Sequence, residues 1–414
     1  MSSLKKDYFW NTIGVLLQNA ISPVLLLVVT RVNGIEAAGL FSFAFSMSLL
    51  LYTLGMWGGR TYQVSDVKKE FQPRSYIMVR ILLAILVLVI TAVFCITNQY
   101  DAYKTSVIFA MVIFKLLESF ADVLYGILQM NGQLYKSGKS LAVKAILGMI
   151  VFVAIDLLTN NILMGAFGIV AVNAVVFLCY DLPQTNKLEK IRFPKAKIGK
   201  YVSEAKEILR RCVNVFAVLF LAMFSLNVPR YFIDHHSQEE VGYFGIIAMP
   251  ITLIVLVITF ILQPNVVAIS KQYNDGKSAD FKRSVGKILG LSLAIGLVVL
   301  VGTVLIGAPL LQLVFGIDFT SHAMALNVIV VGGIASALVT IFLNIFVIMR
   351  KVNFSLIVLI VTNLILIPVS YFAVDKFGLM GGVVAFTVTN FVQLALILLY
   401  FKFIQPKGNS DEEN

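Results

Sequence analysis

Only one stretch inside this chain stays polar for long. Leu182–Arg211, LPQTNKLEKIRFPKAKIGKYVSEAKEILRR, carries nine Lys/Arg against three acids, Glu189, Glu204 and Glu207. On both sides the sequence runs through long apolar segments joined by short polar ones. A chain that folds in water shows the reverse, with polar loops throughout and apolar segments placed to be buried. Apolar residues make up 59% of the 414 and charged residues only 13%, at a mean hydropathy of +0.90, whereas soluble domains carry roughly a quarter charged residues. In hydrocarbon every backbone N–H and C=O must be paired internally, which leaves helices or closed barrels. The runs here are continuous rather than short and alternating, and that selects helices.

Twelve runs reach the roughly 20 apolar residues that a spanning helix needs. They cover about 10–30, 37–59, 77–97, 105–128, 141–158 and 162–181, then 211–233, 241–269, 287–313, 323–349, 354–374 and 378–402. The expected fold is an all-α polytopic membrane protein: 12 transmembrane helices in two six-helix halves around a central cavity. Its expected parts are residues 1–181, a basic cytoplasmic connector at 182–211, residues 212–402, and a polar tail at 403–414. The end of the connector, Ser203–Arg211, is expected to run as helix into the seventh span, with Ser203 as its cap. The run after Lys5 and Lys6 lacks a small-residue cleavage pattern and reads as a retained first helix. With the N-terminus inside, the inside segments hold 26 Lys/Arg and the outside segments four, namely Arg31, Lys104, Arg230 and Lys376. One miscounted helix would invert everything downstream, so this asymmetry places both termini in the cytoplasm.

The two halves repeat at an offset of 203 residues. Asn11 aligns with Asn214, Ser22 with Ser225, Glu36 with Glu239, Gly39 with Gly242 and Phe41 with Phe244, so an E-x-x-G-x-F element follows both the first and the seventh run. Phe167-Gly168 is echoed by Phe377-Gly378 at the start of the sixth and twelfth runs. Six helices per repeat bring both ends of each half to one side. The halves are then parallel, related by an axis along the membrane normal, which suits alternating access about a central cavity.

Several function classes are disfavoured. Cys95, Cys179 and Cys212 have no metal-ligand or disulfide spacing, and the three histidines form no ligand set. No nucleophile elbow or phosphate-binding loop is present. The net charge of +11 would suggest nucleic acid in a soluble protein; here it reflects basic cytoplasmic loops, and no nucleic-acid partner is expected.

The fourth run carries the chemistry. Lys115, Glu118, Asp122, Tyr125 and Gln129 in FKLLESFADVLYGILQM are spaced by three or four, which places all five on one helical face. An ion at mid-membrane depth costs about 2.5–3.5 kcal/mol on insertion scales, so this face turns toward protein or water. It is either a cavity wall, with Glu118 or Asp122 binding a proton or cation and Lys115 meeting an anionic ligand, or an ion-pair ladder that satisfies itself. Arg31 and Arg230 close the first and seventh runs on the outer side. They either receive a pyrophosphate or acidic sugar at the outer mouth or anchor at the headgroups. Arg80 and Lys144, at cytoplasmic helix ends, read as interfacial anchors. Asn11, Gln18 and Ser22 line one face of the first run, and Ser336, Thr340 and Asn344 one face of the tenth; such residues commonly bond between helices. The pairs Gly58-Gly59, Gly332-Gly333 and Gly381-Gly382 read as close helix contacts.

With the basic central loop, the two E-x-x-G-x-F elements and the segment KLLESFADVLYGILQMNGQLYKSGKSLAVKAIL (Lys115–Leu147), the chain resembles the Wzx-type polysaccharide flippases of the multidrug/oligosaccharidyl-lipid/polysaccharide exporter superfamily. Lys115, Glu118, Asp122, Tyr125, Gly126, Gln129, Ser140 and Lys144 match the family's typical positions. The resemblance implies a transporter of the cell membrane, not an enzyme, that moves polyprenyl-diphosphate-linked oligosaccharide units from the inner to the outer leaflet for surface polysaccharide. The implied substrate contacts are Lys115, Arg31, Arg230, Tyr125 and Gln18, and the implied ion-coupling residues Glu118 and Asp122. No cofactor or metal is implied beyond a coupling Na⁺ or H⁺. The implied partners are membrane lipid and the glycosyltransferases and polymerase of the same pathway. A drug/cation antiporter of the same superfamily is the first alternative. A polysaccharide polymerase or ligase is the second, and the short outer loops disfavour it.

Overall fold

The computed structural model describes residues 3–66 and 68–403. The residues after Phe403, in the expected polar tail, lie outside the described ones. Helices and turns account for the fold, and no strand occurs among the described residues. In chain order the helices are α1 (Ser3–Asn33), α2 (Ile35–Met56), α3 (Gly59–Ser65), α4 (Pro73–Thr97), α5 (Ala102–Met130), α6 (Leu134–Thr159), α7 (Ile162–Val176) and α8 (Leu182–Asn186). Then follow α9 (Ile198–His236), α10 (Gln238–Ile247), α11 (Met249–Asn274), α12 (Ser278–Gly302), α13 (Ala308–Phe315), α14 (Ala323–Ile348) and α15 (Val352–Phe403). A π-helical turn at Phe177–Asp181 joins α7 to α8, and another at Thr303–Gly307 joins α12 to α13.

All twelve expected runs fall on helix. Among the described residues, ten helices are long and apolar enough to cross a membrane. Those ten do not include α5, whose apolar length is interrupted by Lys115, Glu118 and Asp122, and they count α15 once. Inside α15, Gly378 leaves helical geometry at φ 54°, ψ −136° and separates the last two runs. That left-handed φ suits glycine, which has no Cβ to clash. The Glu240 carboxylate lies against this break and accepts the Leu379 backbone N–H at 2.8 Å. Glu240 belongs to the second E-x-x-G-x-F element, so the motif starts α10 and also holds the start of the last helical segment.

The chain divides into two compact units, Met1–Phe220 and Leu221–Asn414. In the first, α5 is central, packing against α2, α3, α4, α6 and α7. In the second, α14 holds the equivalent place against α11, α12 and α15. The α1–α6 contact is close because Gly14 and Gly138 face each other, Gly138 against the backbone of Trp10 and Asn11. Gly332 meets Thr387 and Phe386, Gly333 meets Ile251, and Gly382 meets Ile233, in line with the contact role expected of them. Gly58-Gly59 differs from that expectation. Both have left-handed φ (83° and 54°) and form the turn between α2 and α3, a backbone shape that a side chain strains.

The basic connector packs as part of the first unit. Helix α9 begins at Ile198, so Ser203 lies within it instead of capping it. Tyr201, Ala205, Ile208 and Cys212 recur at helical spacing and are buried against Phe71, Tyr76, Ile77 and Val79 and against Val123, Leu124 and Ile127 of α5. Polar ties add to this apolar stripe. Arg74 donates to the Lys190 carbonyl at 2.8 Å, and Ser75 donates to the Glu204 carboxylate. Trp57 donates its indole N–H to the Leu209 carbonyl at 2.8 Å and stacks face to face on Phe216, with ring centroids 3.7 Å apart. The unit boundary therefore falls beyond the connector, within α9.

Candidate functional site

Successive turns of α5 carry three ion clusters on one face, each completed by different helices. The first contains Lys115 and Glu118. The Lys115 ammonium donates to one Glu118 oxygen at 2.8 Å, and Gln18 of α1 donates to the other. Both ionic residues are buried, at 5% and 8% exposure. The ammonium also faces the rings of Phe114 at 4.6 Å and Phe45 at 5.0 Å, so aromatic quadrupoles replace part of its water. Lys115 and Glu118 thus satisfy each other, while Gln18 ties them to a second helix.

One turn further, Asp122 leaves the ladder of its own helix and lies between two arginines. Arg60 of α3 approaches to 3.7 Å and Arg80 of α4 to 3.8 Å. Arg80 is 4% exposed, which overturns its reading as an interfacial anchor. Its guanidinium donates to the Met56 carbonyl at 2.6 Å and the Gly55 carbonyl at 3.3 Å. These are end carbonyls of α2 that lack partners within the helix. Capping them while facing Asp122 satisfies the cation inside the protein, so it has no reason to reach for headgroups.

In the third cluster, Tyr125 donates to the Ser140 hydroxyl at 2.8 Å. Lys144 of α6 donates to the Tyr125 oxygen at 3.2 Å and pairs with Asp181. Lys144, too, was expected at the interface and is instead 2% exposed. Sequence reasoning missed Asp181, which is fully buried. A signal was present, since Asp181 is the single charge in the sixth apolar run and Lys144 is the single cation in the fifth.

Of the expected site residues, Gln18, Lys115 and Glu118 come together, and Asp122 and Tyr125 join neighbouring clusters on the same face. Arg31 is not among the partners of these clusters, and Arg230 belongs to the second unit. Arg31 is exposed in the last turn of α1. Arg230 of α9 holds its guanidinium 5.3 Å from the Phe244 ring centroid, and its buried Nε has no hydrogen bond among the described residues. The counterpart of α5 in the second unit is neutral. On α14, Thr340 donates to the Ser336 carbonyl and Asn344 to the Thr340 carbonyl, within their own helix instead of across helices as expected. A separate uncharged cluster joins Ser225 to Asn363 at 2.9 Å and Gln393 to Thr362 at 2.9 Å.

The fold is one found in solved membrane transporters of the multidrug/oligosaccharidyl-lipid/polysaccharide exporter superfamily. The fold matches the inward-facing conformation of a multidrug resistance MATE family transporter of that superfamily with a TM-score of 0.70 at 14% identity, over 95% of this chain and 97% of that one. It matches the lipid II flippase MurJ, in an inward closed conformation, with a TM-score of 0.68 at 12% identity, over 95% and 87%. In sequence, the chain is similar to the capsular polysaccharide biosynthesis protein CapF of Staphylococcus aureus, 24% identical over 383 residues, 92% of this chain and 95% of that protein. No family model matches. The superfamily fold implied by the sequence resemblance is the fold found, and the chain is a multi-pass membrane protein.

Proposed function

We propose that the protein is a flippase of the cell membrane. It carries polyprenyl-diphosphate-linked oligosaccharide units from the inner to the outer leaflet for surface polysaccharide, through twelve spans with both termini cytoplasmic and by alternating access. The observation that carries this reading is the charged face of α5, buried inside a superfamily fold in a chain similar to CapF. A face that costs several kcal/mol to place in lipid is retained where it handles charge. Lys115 and Glu118 form a pair that opens in one way: a proton or Na⁺ taken by Glu118 releases the Lys115 ammonium to a diphosphate or a sugar acid. Gln18 follows Glu118, Tyr125 offers a hydroxyl further along the face, and Arg31 and Arg230 receive the anion on the outer side. No catalytic step is involved.

The test is surface polysaccharide in a deletion strain carrying Lys115→Ala or Glu118→Gln, with membrane insertion checked by immunoblot. Polymer is expected to be lost while the protein still reaches the membrane. Normal polymer from both variants would remove the pair from the mechanism. The second reading, a cation-coupled multidrug antiporter, is favoured by the likeness to MATE folds. It predicts drug hypersensitivity on deletion with polysaccharide unchanged.

A further inference from the structure

Helices α1 and α6 begin side by side. Asp7 accepts the Tyr135 backbone N–H at 2.7 Å, and just beyond it Gly14 and Gly138 hold the two helices close. Lys6 and Tyr135 are each the second residue of an apolar span, Lys5–Asn33 and Leu134–Thr159. This end of the pair therefore sits at headgroup depth, where cations and amphipathic rings collect. Two ammoniums converge there on one ring. Lys6 Nζ lies 3.9 Å from the Tyr135 ring centroid, and Lys139 Nζ lies 5.9 Å from it and 5.1 Å from that of Trp10. Neither lysine has an ion-pair partner among the described residues. Like charges gathered about one ring repel, and the ring faces offset only part of that. The arrangement is one anion short.

The surface beyond Lys139 indicates what that anion is attached to. Val143, Ile146, Leu147 and Ile150 follow it at helical spacing, and each is 43% to 58% exposed. In a membrane protein such a face is covered by lipid chains. We propose that the α1–α6 corner is a docking site for an acidic phospholipid, with its phosphate between Lys6 and Lys139 and its chains along the α6 stripe. One amphiphile then satisfies both the unpaired ammoniums and the apolar face. A zwitterionic headgroup would bring a third cation to the same place, so the net charge of the lipid matters. The positive surface also continues sideways. Lys136 donates to Gln184 at 2.9 Å, which joins the corner to the exposed Lys187 and Lys190 of the connector. The site goes beyond the flippase reading and does not depend on it, because the lipid is a resident of the surface and not the cargo.

Trp10 lies in the site and can report on it. Full-length protein carrying Trp57→Phe, which leaves Trp10 as the single tryptophan, is reconstituted in phosphatidylcholine nanodiscs. Its emission is followed as acyl-brominated phosphatidylglycerol, or acyl-brominated phosphatidylcholine, replaces part of the lipid; bromine quenches an indole only at close range. At low mole fraction the acidic lipid is expected to quench about fivefold more strongly, the factor that one basic residue near a membrane surface contributes. Raised salt is expected to reduce this preference. Lys6→Gln/Lys139→Gln is expected to abolish it, and Lys6→Arg/Lys139→Arg to keep it. Equal quenching by the two lipids in the parent protein would overturn the proposal, and is the outcome if an acidic protein is the true partner. A preference that survives the double glutamine variant would overturn it as well. Inorganic phosphate, added at matched ionic strength, is expected to leave the quenching unchanged. Relief of quenching by phosphate would mean a site for free anions and would reject the lipid.

Discussion

Lys144 and Asp181 stand 37 positions apart in the sequence, yet the lysine ammonium reaches the carboxylate at 2.5 Å, with both side chains withdrawn from solvent. Breaking such a pair by removing one member leaves an uncompensated buried charge, which costs about 3–5 kcal/mol, whereas replacing both by apolar groups of similar volume is often neutral. Lys144→Met is therefore expected to lower the melting temperature of the detergent-solubilised protein sharply. The double variant Lys144→Met/Asp181→Leu is expected to recover most of the loss. A double variant as unstable as the single one would show that Tyr125 and Ser140, and not the ion pair, carry the stability of the cluster.

The break in α15 depends on Glu240. Removing a side chain that caps a helix start costs about 0.5–2 kcal/mol. Glu240→Ala should fall in that range by thermal unfolding. Gly378→Ala should cost more, because it adds left-handed backbone strain to a clash with the Glu240 carboxylate. If Gly378→Ala is the milder of the two, the break is not held in the way described.

Gly138 offers a sharper contrast. A Cβ there meets the Trp10 carbonyl, part of a backbone that cannot turn aside, and overpacking of this kind costs about 1–3 kcal/mol. Gly199 on α9 has open space around it, and replacing an exposed helical glycine with alanine gains up to about 1 kcal/mol. Gly138→Ala and Gly199→Ala are thus expected to move the unfolding temperature in opposite directions.

Tyr201 is the largest side chain that the connector buries. Truncating a buried aromatic costs about 3–5 kcal/mol, and here the loss falls on a local contact. In Tyr201→Ala, trypsin is expected to cut at Lys200 and Lys206 faster than in the parent protein, while cleavage at Lys187 is unchanged. Equal rates at all three sites would mean that the stripe does not hold α9 in place.

The spans and the inward face of α5 were legible because both follow from periodicity. Twenty apolar residues, or polar ones every third and fourth position, have one physical reading. The partners across the face were not legible. Lys115 could be paired with Glu118 from spacing alone, whereas Asp122 turns from its own helix to Arg60 and Arg80, which come from other helices. Arg80 and Lys144 misled for a related reason. A cation near a helix end usually reaches for water, and only the folded packing reveals the α2 carbonyls and the Asp181 carboxylate waiting inside. Gly58-Gly59 shows the same limit at the level of backbone, since paired glycines serve a helix contact or a turn equally well. The connector could be read as polar on average. Its buried stripe is only four residues wide and is diluted by the cations around it.

That stripe bears on how the gene can be divided. The sequence repeat invites a cut after Asp181, between two six-span halves. The first product would then lack Tyr201, Ala205, Ile208 and Cys212 and would present Phe71, Tyr76 and Ile77 bare to solvent. In this protein the first unit depends on the opening turns of α9, so co-expressed fragments should assemble only when those turns stay joined to the first.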